Sequence, residues 1–470
     1  MVIMLTMLEG CTPKISHYVL VEESLRTGDV TKADQIVEES EKEYGSKSHV
    51  LYRMDRGMTL QLAGRYQESN AVLEQAEEEV DRLYTHRLRT EAKAFLINDT
   101  ELTYEGDAYE QVMINVLKAL NYAVMGAWND AVVEARRIDH RLNVLSDRVQ
   151  EKDGYRDDSF ARYLSGILYE EIGDLNNAFI AYRNAYEGYR RARPWARIST
   201  PPMLRSDLLR ITDALHLSQE YEEYRREFAD VTWQSISDQQ RLAQVVLIGY
   251  NGRAPRKEDQ FIDLPVSLDA LKLVLLTKGA VGHSNQDSRA VESVLYGLSG
   301  RVVRVALPRL VPQKTQVAYE QVSLSGTSGS FSTRTELAQN LTALAEKSLS
   351  DQFAGLAIKA VARAAVKYAM AEGVGRGARA AAGKDAGPWV GLLAGALAKT
   401  LAIASEEADK RSWRTLPDEV QIARLWVAPG DYELRVRPVG RDGGVVGHES
   451  VRTVSLQSGE TKFFIERVLP

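Results

Sequence analysis

Apolar residues recur with helical spacing through the first half of the chain, and turn signals interrupt this pattern repeatedly. Four of the turns share one spacing, in which a glycine is followed five residues later by Ala or Ser: Gly28 and Ala33, Gly64 and Ser69, Gly126 and Ala131, Gly173 and Ala178. A helical apolar pattern runs into each glycine and another runs out of it. Each unit is therefore predicted to be a pair of antiparallel helices. A fifth pair is predicted to turn near Gln219.

Small residues occupy a second fixed position in three of these pairs. Gly57, Ala119 and Gly166 each lie seven residues before a turn glycine. Small side chains at such offsets let two helices approach closely and let the next pair stack on them. Over residues 15–240 the pattern resembles the tetratricopeptide repeat. Because the turns are unequally spaced, insertions are expected between the pairs, and an irregular helical bundle is the alternative fold.

The resemblance to the tetratricopeptide repeat implies a protein-binding surface rather than a reaction centre. By register with that family, nine apolar residues are expected on the inner face as a protein-binding groove: Leu51, Met54, Met58, Met113, Val116, Leu120, Phe160, Tyr163 and Ile167. The Lys and Asn residues with which some family members hold a C-terminal carboxylate are absent, so an amphipathic helix is the expected guest. Alternatively, the protein's own inserted helices or N-terminus cover this column.

After residue 240 the pattern becomes typical of β-strands. Strands are predicted at residues 243–252, 260–266, 301–307, 316–324, 420–427, 432–438, 449–456 and 462–468. Short helices are predicted at 268–277 and 288–298, a basic loop at 253–257 and a flexible linker at 326–332. Either strand block alone would make a thin sheet with exposed edges. We therefore expect residues 241–332 and 413–470 to form one discontinuous β-sandwich, with Trp413 and Leu416 anchoring the start of the second block.

Residues 333–412 return to a helical pattern and are predicted to be an Ala/Gly-rich insertion. Helices are expected at 335–346, 351–372 and 389–408, and Lys359, Arg363 and Lys367 form a basic stripe at four-residue spacing. This stripe is a candidate contact for a membrane or a partner. The last helix has Gly391 and Gly395 at GxxxG spacing but is shorter than the roughly 20 residues needed to span a bilayer. The insertion is expected to be a buried helical hairpin, with membrane-surface and transmembrane placements as alternatives.

Composition argues against several classes of function. The 470 residues carry a formal net charge of -6 and no basic tail, so nucleic-acid binding is not expected. The seven histidines are scattered singly, which gives no support for a zinc site. The glycine-rich segment at 373–378 follows a predicted helix rather than a strand, unlike a dinucleotide-binding turn. We therefore predict no metal, no cofactor, no small-molecule substrate and no catalytic residue; the chain is not expected to be an enzyme.

The single cysteine follows a short apolar run. Leu-Glu-Gly-Cys at residues 8–11 resembles a bacterial lipobox, which predicts lipidation of Cys11 and makes residues 1–14 a signal-peptide remnant and linker. Thr12 in place of Asp implies the periplasmic face of the outer membrane by the sorting rule of such lipoproteins. An ordinary buried cysteine is the alternative.

The whole chain also resembles an uncharacterised family of bacterial repeat-containing lipoproteins. This resemblance rests on Asn-Gly-Arg-Ala-Pro-Arg-Lys at 251–257 and Arg-Ser-Trp-Arg-Thr-Leu-Pro at 411–417, and it implies no activity. The predicted fold is α+β and multidomain: an N-terminal tetratricopeptide-like solenoid followed by the discontinuous sandwich with its helical insertion. The expected function is a non-enzymatic envelope scaffold or assembly lipoprotein that binds a protein partner. The alternative is a membrane-active component that inserts the 351–405 hairpin into lipid.

Overall fold

The computed structural model describes residues 16–94, 99–148, 158–265, 302–371 and 407–469. Cys11, the short helices predicted at 268–277 and 288–298, and residues 389–406 of the last predicted helix lie outside the described residues.

Helices make up the N-terminal region. They are α1 (His17–Arg26), α2 (Val30–Glu39), α3 (Glu41–Tyr44), α4 (His49–Leu62), α5 (Tyr66–Ala94), α6 (Ala108–Val124), α7 (Trp128–Arg148), α8 (Ser159–Glu171), α9 (Leu175–Ala196), α10 (Pro202–Ala214), α11 (Ser218–Glu227) and α12 (Ile236–Gln239). Antiparallel pairs form between α1 and α2, α4 and α5, α6 and α7, α8 and α9, and α10 and α11. Each pair contacts the next one along the chain, so the pairs are stacked in sequence order.

The four predicted turn glycines all adopt the left-handed backbone conformation. Their φ angles are 76° at Gly28, 73° at Gly64, 70° at Gly126 and 76° at Gly173, and a Cβ atom at any of them would meet nothing within 4 Å. Glycine is therefore favoured there by the backbone conformation rather than by space. The fifth turn was predicted three residues too late, because it is made by His216 with φ 55°. A non-glycine residue at this position leaves no turn signal in the sequence.

Close contacts between paired helices confirm the role predicted for the small residues. A Cβ atom on Gly57 would lie 2.4 Å from the Leu73 side chain, and one on Gly166 would lie 2.3 Å from the Tyr182 ring. Ser69, five residues after its turn glycine, is fully buried and donates a hydrogen bond of 2.7 Å to the Gly57 carbonyl. Larger side chains at these positions would push the two helices apart.

The C-terminal half contains the strands β1 (Ala243–Asn251), β2 (Arg253–Pro265), β3 (Val302–Gln313), β4 (Val317–Gly326), β5 (Gly329–Arg334), β6 (Glu336–Asn340), β7 (Glu419–Val427), β8 (Gly430–Gly440), β9 (Ser450–Leu456) and β10 (Thr461–Val468), with helix α13 (Leu341–Ala371) between β6 and β7. One sheet, here called the inner sheet, has the order β10-β1-β7-β6, and the outer sheet has the order β5-β4-β8-β9. Strands β2 and β3 form a separate ribbon. In the inner sheet β1 is parallel to β10 and antiparallel to β7.

The inner and outer sheets pack face to face around a shared core. This core contains Val245 and Leu247 of β1, Val322 and Leu324 of β4, and Leu434 of β8. Strands from both sequence blocks pair within each sheet, so the blocks combine as predicted. The predicted composition of the sandwich is corrected at two points: β2 and β3 form a ribbon apart from it, and β6, from the predicted helical insertion, belongs to the inner sheet. Such a sandwich buries alternate side chains of each strand.

Three local predictions were wrong. Residues 253–257 belong to β2 rather than to a loop, and 329–332 lie in β5 rather than in a linker. Residues 336–340 form β6 instead of the start of a helix, and α13 then runs without a break from Leu341 to Ala371. Tertiary pairing outweighs local propensity in these segments, because β5 pairs with β4 and β6 pairs with β7.

Candidate functional site

The nine residues predicted to line an open groove are all buried. Leu51 is 5% exposed and the other eight are 0% exposed. They belong to the same apolar cluster as Val246 and Ile248 of β1, Phe463 of β10 and Trp413 and Leu416. The inner sheet and residues 413–416, here called the return segment, therefore cover this column. The prediction of an open groove at these positions is wrong, because they are core residues. The alternative, a cover supplied by inserted helices of the protein itself, is correct in part: Leu341 and Leu344 at the start of α13 belong to the same cluster, together with the inner sheet and the return segment.

Buried charges join the fourth and fifth helix pairs to the inner sheet. Arg424 of β7 donates to Asp207 of α10 at 2.5 Å and lies 3.6 Å from Glu170 of α8. Arg210 donates to Glu170 at 2.8 Å and to Asp207 at 2.6 Å. The Tyr163 hydroxyl donates to Asp207 at 2.8 Å. The two cations and two carboxylates form a compact set of charge-assisted hydrogen bonds.

The electrostatics of this set favour the charged forms of Arg424 and Glu170. Burial opposes the charge on Arg424, but the carboxylates of Asp207 and Glu170 outweigh it and raise the pKa of Arg424 well above its ordinary value. Burial likewise opposes the charge on Glu170, but Arg210 and Arg424 outweigh it and lower the pKa of Glu170. Groups held in one protonation state are suited to joining elements and poorly suited to transferring protons.

Two further buried carboxylates hold the return segment. Asp55 of α4 accepts hydrogen bonds from the hydroxyls of Tyr18 at 2.7 Å, Tyr44 at 2.9 Å and Thr415 at 2.7 Å. Glu110 of α6 accepts from the backbone N–H of Trp413 at 2.7 Å. Burial, followed by the nearby charge of Asp107, raises the pKa of Glu110 to about 7.

The described part of the chain contains neither a candidate metal-binding group nor a candidate membrane-spanning helix. Its residues contain no group of three or more His, Cys, Asp or Glu side chains placed to hold a metal ion. None of its helices combines the length and the apolar character that crossing a membrane requires.

The predicted basic stripe lies on α13. Lys359 is half-buried, and the side chains of Arg363 and Lys367 lie outside the described residues. The apolar side of this helix is used within the protein, because Leu356 and Ala360 pack against Val305 and Leu307 of β3.

Exposed apolar residues instead repeat along the second helices of the pairs. Ala71, Val133 and Ile180 each lie seven residues after a turn glycine, and all three are exposed. Val133 is 43% exposed and Ile180 is 45% exposed. We call these three residues the outer row. Their equivalent positions on α5, α7 and α9 are the sequence signal that could have predicted this surface.

An open cleft of about 430 Å³ lies between α5, α6 and α7 and includes two members of the outer row. Its lining residues are Gln67, Asn70, Ala71, Glu74, Tyr122, Asp130, Val133, Glu134 and Arg137. The Asn70 side-chain oxygen accepts from Asn121 at 2.7 Å, whereas its buried Nδ2 has no partner among the described residues. Apolar groups surrounded by hydrogen-bonding groups are typical of protein interfaces.

A buried cation pairs with two of the carboxylates that line this cleft, Glu74 and Glu134. Lys118 is almost fully buried, and its Nζ lies 2.8 Å from Glu77, 3.1 Å from Glu134 and in contact with Glu74. Arg137 also donates to Glu74, at 2.6 Å. These ion pairs join α5, α6 and α7, the three helices around the cleft.

Comparison with known proteins adds little. No protein-family model matches the chain, and no curated protein matches it. Among solved structures the chain is similar to "MamA RS-1 ArsTM double mutant", with 13% identity and a TM-score of 0.28 over 45% of this chain and 93% of that chain. It is also similar to "MamA 41-end from Desulfovibrio magneticus RS-1", with 12% identity and a TM-score of 0.29 over 46% and 90%. Similarity this weak carries no argument about function.

Proposed function

We propose that this protein is a non-enzymatic scaffold that binds a protein partner through the outer side of its tetratricopeptide-like helix pairs. The observation that carries the proposal is the outer row, in which Ala71, Val133 and Ile180 expose apolar groups at equivalent positions of three consecutive pairs. The inner side is already covered by the inner sheet. A partner that packs on the outer row would bury this apolar surface, while the polar cleft residues would supply hydrogen bonds at its edge.

Rigidity of the scaffold supports the same proposal. Asp55, Glu110 and Asp207 tie first helices of different pairs to the return segment and to β7. Surfaces held in place by such contacts lose little conformational entropy on binding, which favours affinity.

We also propose that the scaffold is attached through a lipid on Cys11 to the periplasmic face of a bacterial outer membrane. The basis is the Leu-Glu-Gly-Cys sequence at residues 8–11. In a Gram-negative host the protein is expected to fractionate with outer membranes, and Cys11→Ala is expected to release it. Recovery of the protein with an unmodified Cys11 thiol would contradict the attachment.

Site-specific photo-crosslinking tests the partner-binding surface. A photoreactive amino acid is placed singly at Val133 or Ile180 in cells that produce the protein, with Val451 of β9, which is 49% exposed, as the matched control. The same partner adduct is expected at Val133 and Ile180 and not at Val451. With the purified partner, Val133→Glu is then expected to weaken binding at least about tenfold, equivalent to about 1.4 kcal/mol.

Two results would contradict the proposal. One is the absence of an adduct at both outer-row positions, and the other is an equal adduct at Val451. Irradiation of the purified protein alone tests for adducts between two copies of the chain. Such adducts would mean that the partner is a second copy of this protein.

A further inference from the structure

Four exposed arginines lie close together at the C-terminal end of α9. They are Arg190, Arg191, Arg193 and Arg197, and residues 188–197 contain no Asp or Glu. Arg190 and Arg193 are three residues apart and therefore lie on one side of the last turns of α9, and Arg197 is the residue that directly follows the helix. Trp195, which is 38% exposed, lies on the neighbouring flank, four residues after Arg191. We call Arg190, Arg193, Trp195 and Arg197 the arginine patch.

The backbone that carries the patch is fixed. Pro194 restricts its own φ angle, and Ala196 and Ile198, which are 3% and 1% exposed, anchor the chain on either side of Arg197. The Asn340 side chain of β6 also donates to the Ala196 carbonyl at 3.3 Å. Trp195 and Arg197 are therefore presented from a rigid segment rather than from a flexible loop.

Arg197 occupies a position that favours glycine. Its φ angle is 52°, in the left-handed region where a Cβ atom costs free energy, and it follows the last helical residue of α9. Its backbone N–H completes the helix end by donating to the Arg193 carbonyl. Glycine would serve this backbone role better, which suggests that the arginine side chain has a use of its own.

The use of arginine rather than lysine in this region indicates the chemistry of the ligand. Residues 158–240 contain ten arginines and no lysine. The guanidinium group binds a carboxylate through two parallel hydrogen bonds, which an ammonium group cannot do. Arginine and tryptophan are enriched at protein interfaces, whereas lysine is depleted there.

We infer that the arginine patch binds a short acidic segment of a partner protein, with carboxylates paired to Arg190, Arg193 and Arg197 and an apolar side chain packed on Trp195. This inference rests on the proposed scaffold function and specifies the chemistry of the partner. Trp195 lies on the same helix as Ile180 of the outer row, so one partner can reach both surfaces.

Carboxylates beside the patch favour a short segment over a long or flat polyanion. The Arg190 guanidinium lies 5.7 Å from the Tyr186 ring, and the hydroxyl of that tyrosine donates to Glu227 of α11. Glu187, on α9 itself, lies 3.6 Å from Arg191. A nucleic acid or an anionic bilayer that covered the patch would also meet these carboxylates and be repelled.

Fluorescence anisotropy with defined peptides tests the inference on the purified full chain. The probe is a labelled 12-residue peptide rich in Glu with one central Phe, and a second peptide has Ala in place of Phe. The first peptide is expected to bind, and added salt is expected to weaken the binding because the contacts are ionic. Trp195→Ala is expected to weaken binding of the Phe peptide more than binding of the Ala peptide.

A charge-matched pair of variants isolates the patch. Arg190→Gln, Arg193→Gln and Arg197→Gly combined are expected to weaken binding at least about tenfold. The control variant combines Arg82→Gln, Arg225→Gln and Arg441→Gln, and it removes the same amount of charge from exposed positions outside the patch. It is expected to change the affinity for the peptide less than about twofold. Arg197→Gly alone is expected to weaken binding while leaving thermal stability unchanged or higher, which separates binding from folding.

Several outcomes would overturn the inference. They are failure of the peptide to bind in low salt, equal losses in the patch and control variants, and binding of a 12-nucleotide DNA or of anionic vesicles in preference to the peptide. If the peptide does not bind but crosslinks still form at Val133 and Ile180, the inference about the arginine patch is wrong and the proposed function stands. If the peptide binds as expected but no crosslink forms, the outer row is not the partner surface.

Discussion

Glu320 of β4 provides a sharp test of how the sandwich is stabilised. Its side chain is fully buried, and neither carboxylate oxygen has a hydrogen-bond partner among the described residues. The carboxylate lies against β1, where a Cβ atom on Gly249 would come within 2.1 Å of Oε1. Burial raises the pKa of Glu320 from its ordinary value of 4.5 to about 7, against a smaller opposing effect of the nearby Asn251 amide, which lies close to the carboxylate without meeting hydrogen-bond geometry. Glu320→Gln keeps the shape of the side chain and removes its titration.

The sign and size of the effect follow from the raised pKa. Between pH 4.5 and pH 7 the folded protein holds a proton on Glu320 that the unfolded chain has lost, so the free energy of unfolding falls as the pH rises through this window. The loss from this one group amounts to roughly 2.5 kcal/mol between pH 5 and pH 8. The glutamine variant lacks this loss. Its stability relative to the wild type is therefore expected to improve by roughly 2.5 kcal/mol over that range.

Urea denaturation of both proteins at pH 5, 6, 7 and 8 measures this difference. Other titrating groups, Glu110 among them, act equally in both proteins and cancel in the comparison. Glu433→Gln, at an exposed position of β8, is the matched control and is expected to show no such trend. A difference between wild type and Glu320→Gln that stays constant from pH 5 to pH 8 would refute the reasoning.

Two further predictions concern packing and the buried charges. Gly166→Ala is expected to lower the free energy of unfolding by about 1 to 3 kcal/mol, because its new Cβ would overlap the Tyr182 ring. Gly355→Ala, on the exposed side of α13, is the control and is expected to stabilise the protein by up to about 1 kcal/mol. Thermal unfolding compares them, and equal melting temperatures would count against the close approach. Arg424→Met is expected to lower the free energy of unfolding by about 3 kcal/mol, because it leaves the Asp207 carboxylate buried without its partner. Adding Asp207→Asn is expected to recover part of this loss. Strictly additive losses of the two substitutions in urea titrations would argue against the pairing.

Much of the helical region could be predicted because its signals are local. Turn glycines need a left-handed backbone, and small residues are needed where helices touch, so Gly64 and Gly166 could be interpreted without knowledge of the rest of the chain. The turn at His216 shows the limit of this approach. There the backbone adopts the same conformation without glycine.

The sandwich was predictable at the level of its strands and less so at its edges. Alternation in Tyr432, Leu434 and Val436 predicted a strand with one buried face, and all three are buried. Local pattern failed at β5 and β6, because their extended conformation depends on pairing with β4 and β7. Pairing between distant segments leaves little trace in a single short window of sequence.

Carboxylates on the first helices of the pairs are a sequence signal that the inner side is covered, and the pattern of apolar residues alone does not contain it. The first helices of four consecutive pairs each place a carboxylate beside the apolar column: Asp55, Glu110 and Asp207 are fully buried, and Glu170 is partly buried. Each of these carboxylates faces the return segment or β7. A groove that binds and releases a partner would leave them hydrated when empty, and a partner would then have to desolvate all four. Buried carboxylates that recur along one side of a helical repeat therefore indicate a permanent intramolecular cover, and the binding surface should be sought on the opposite side.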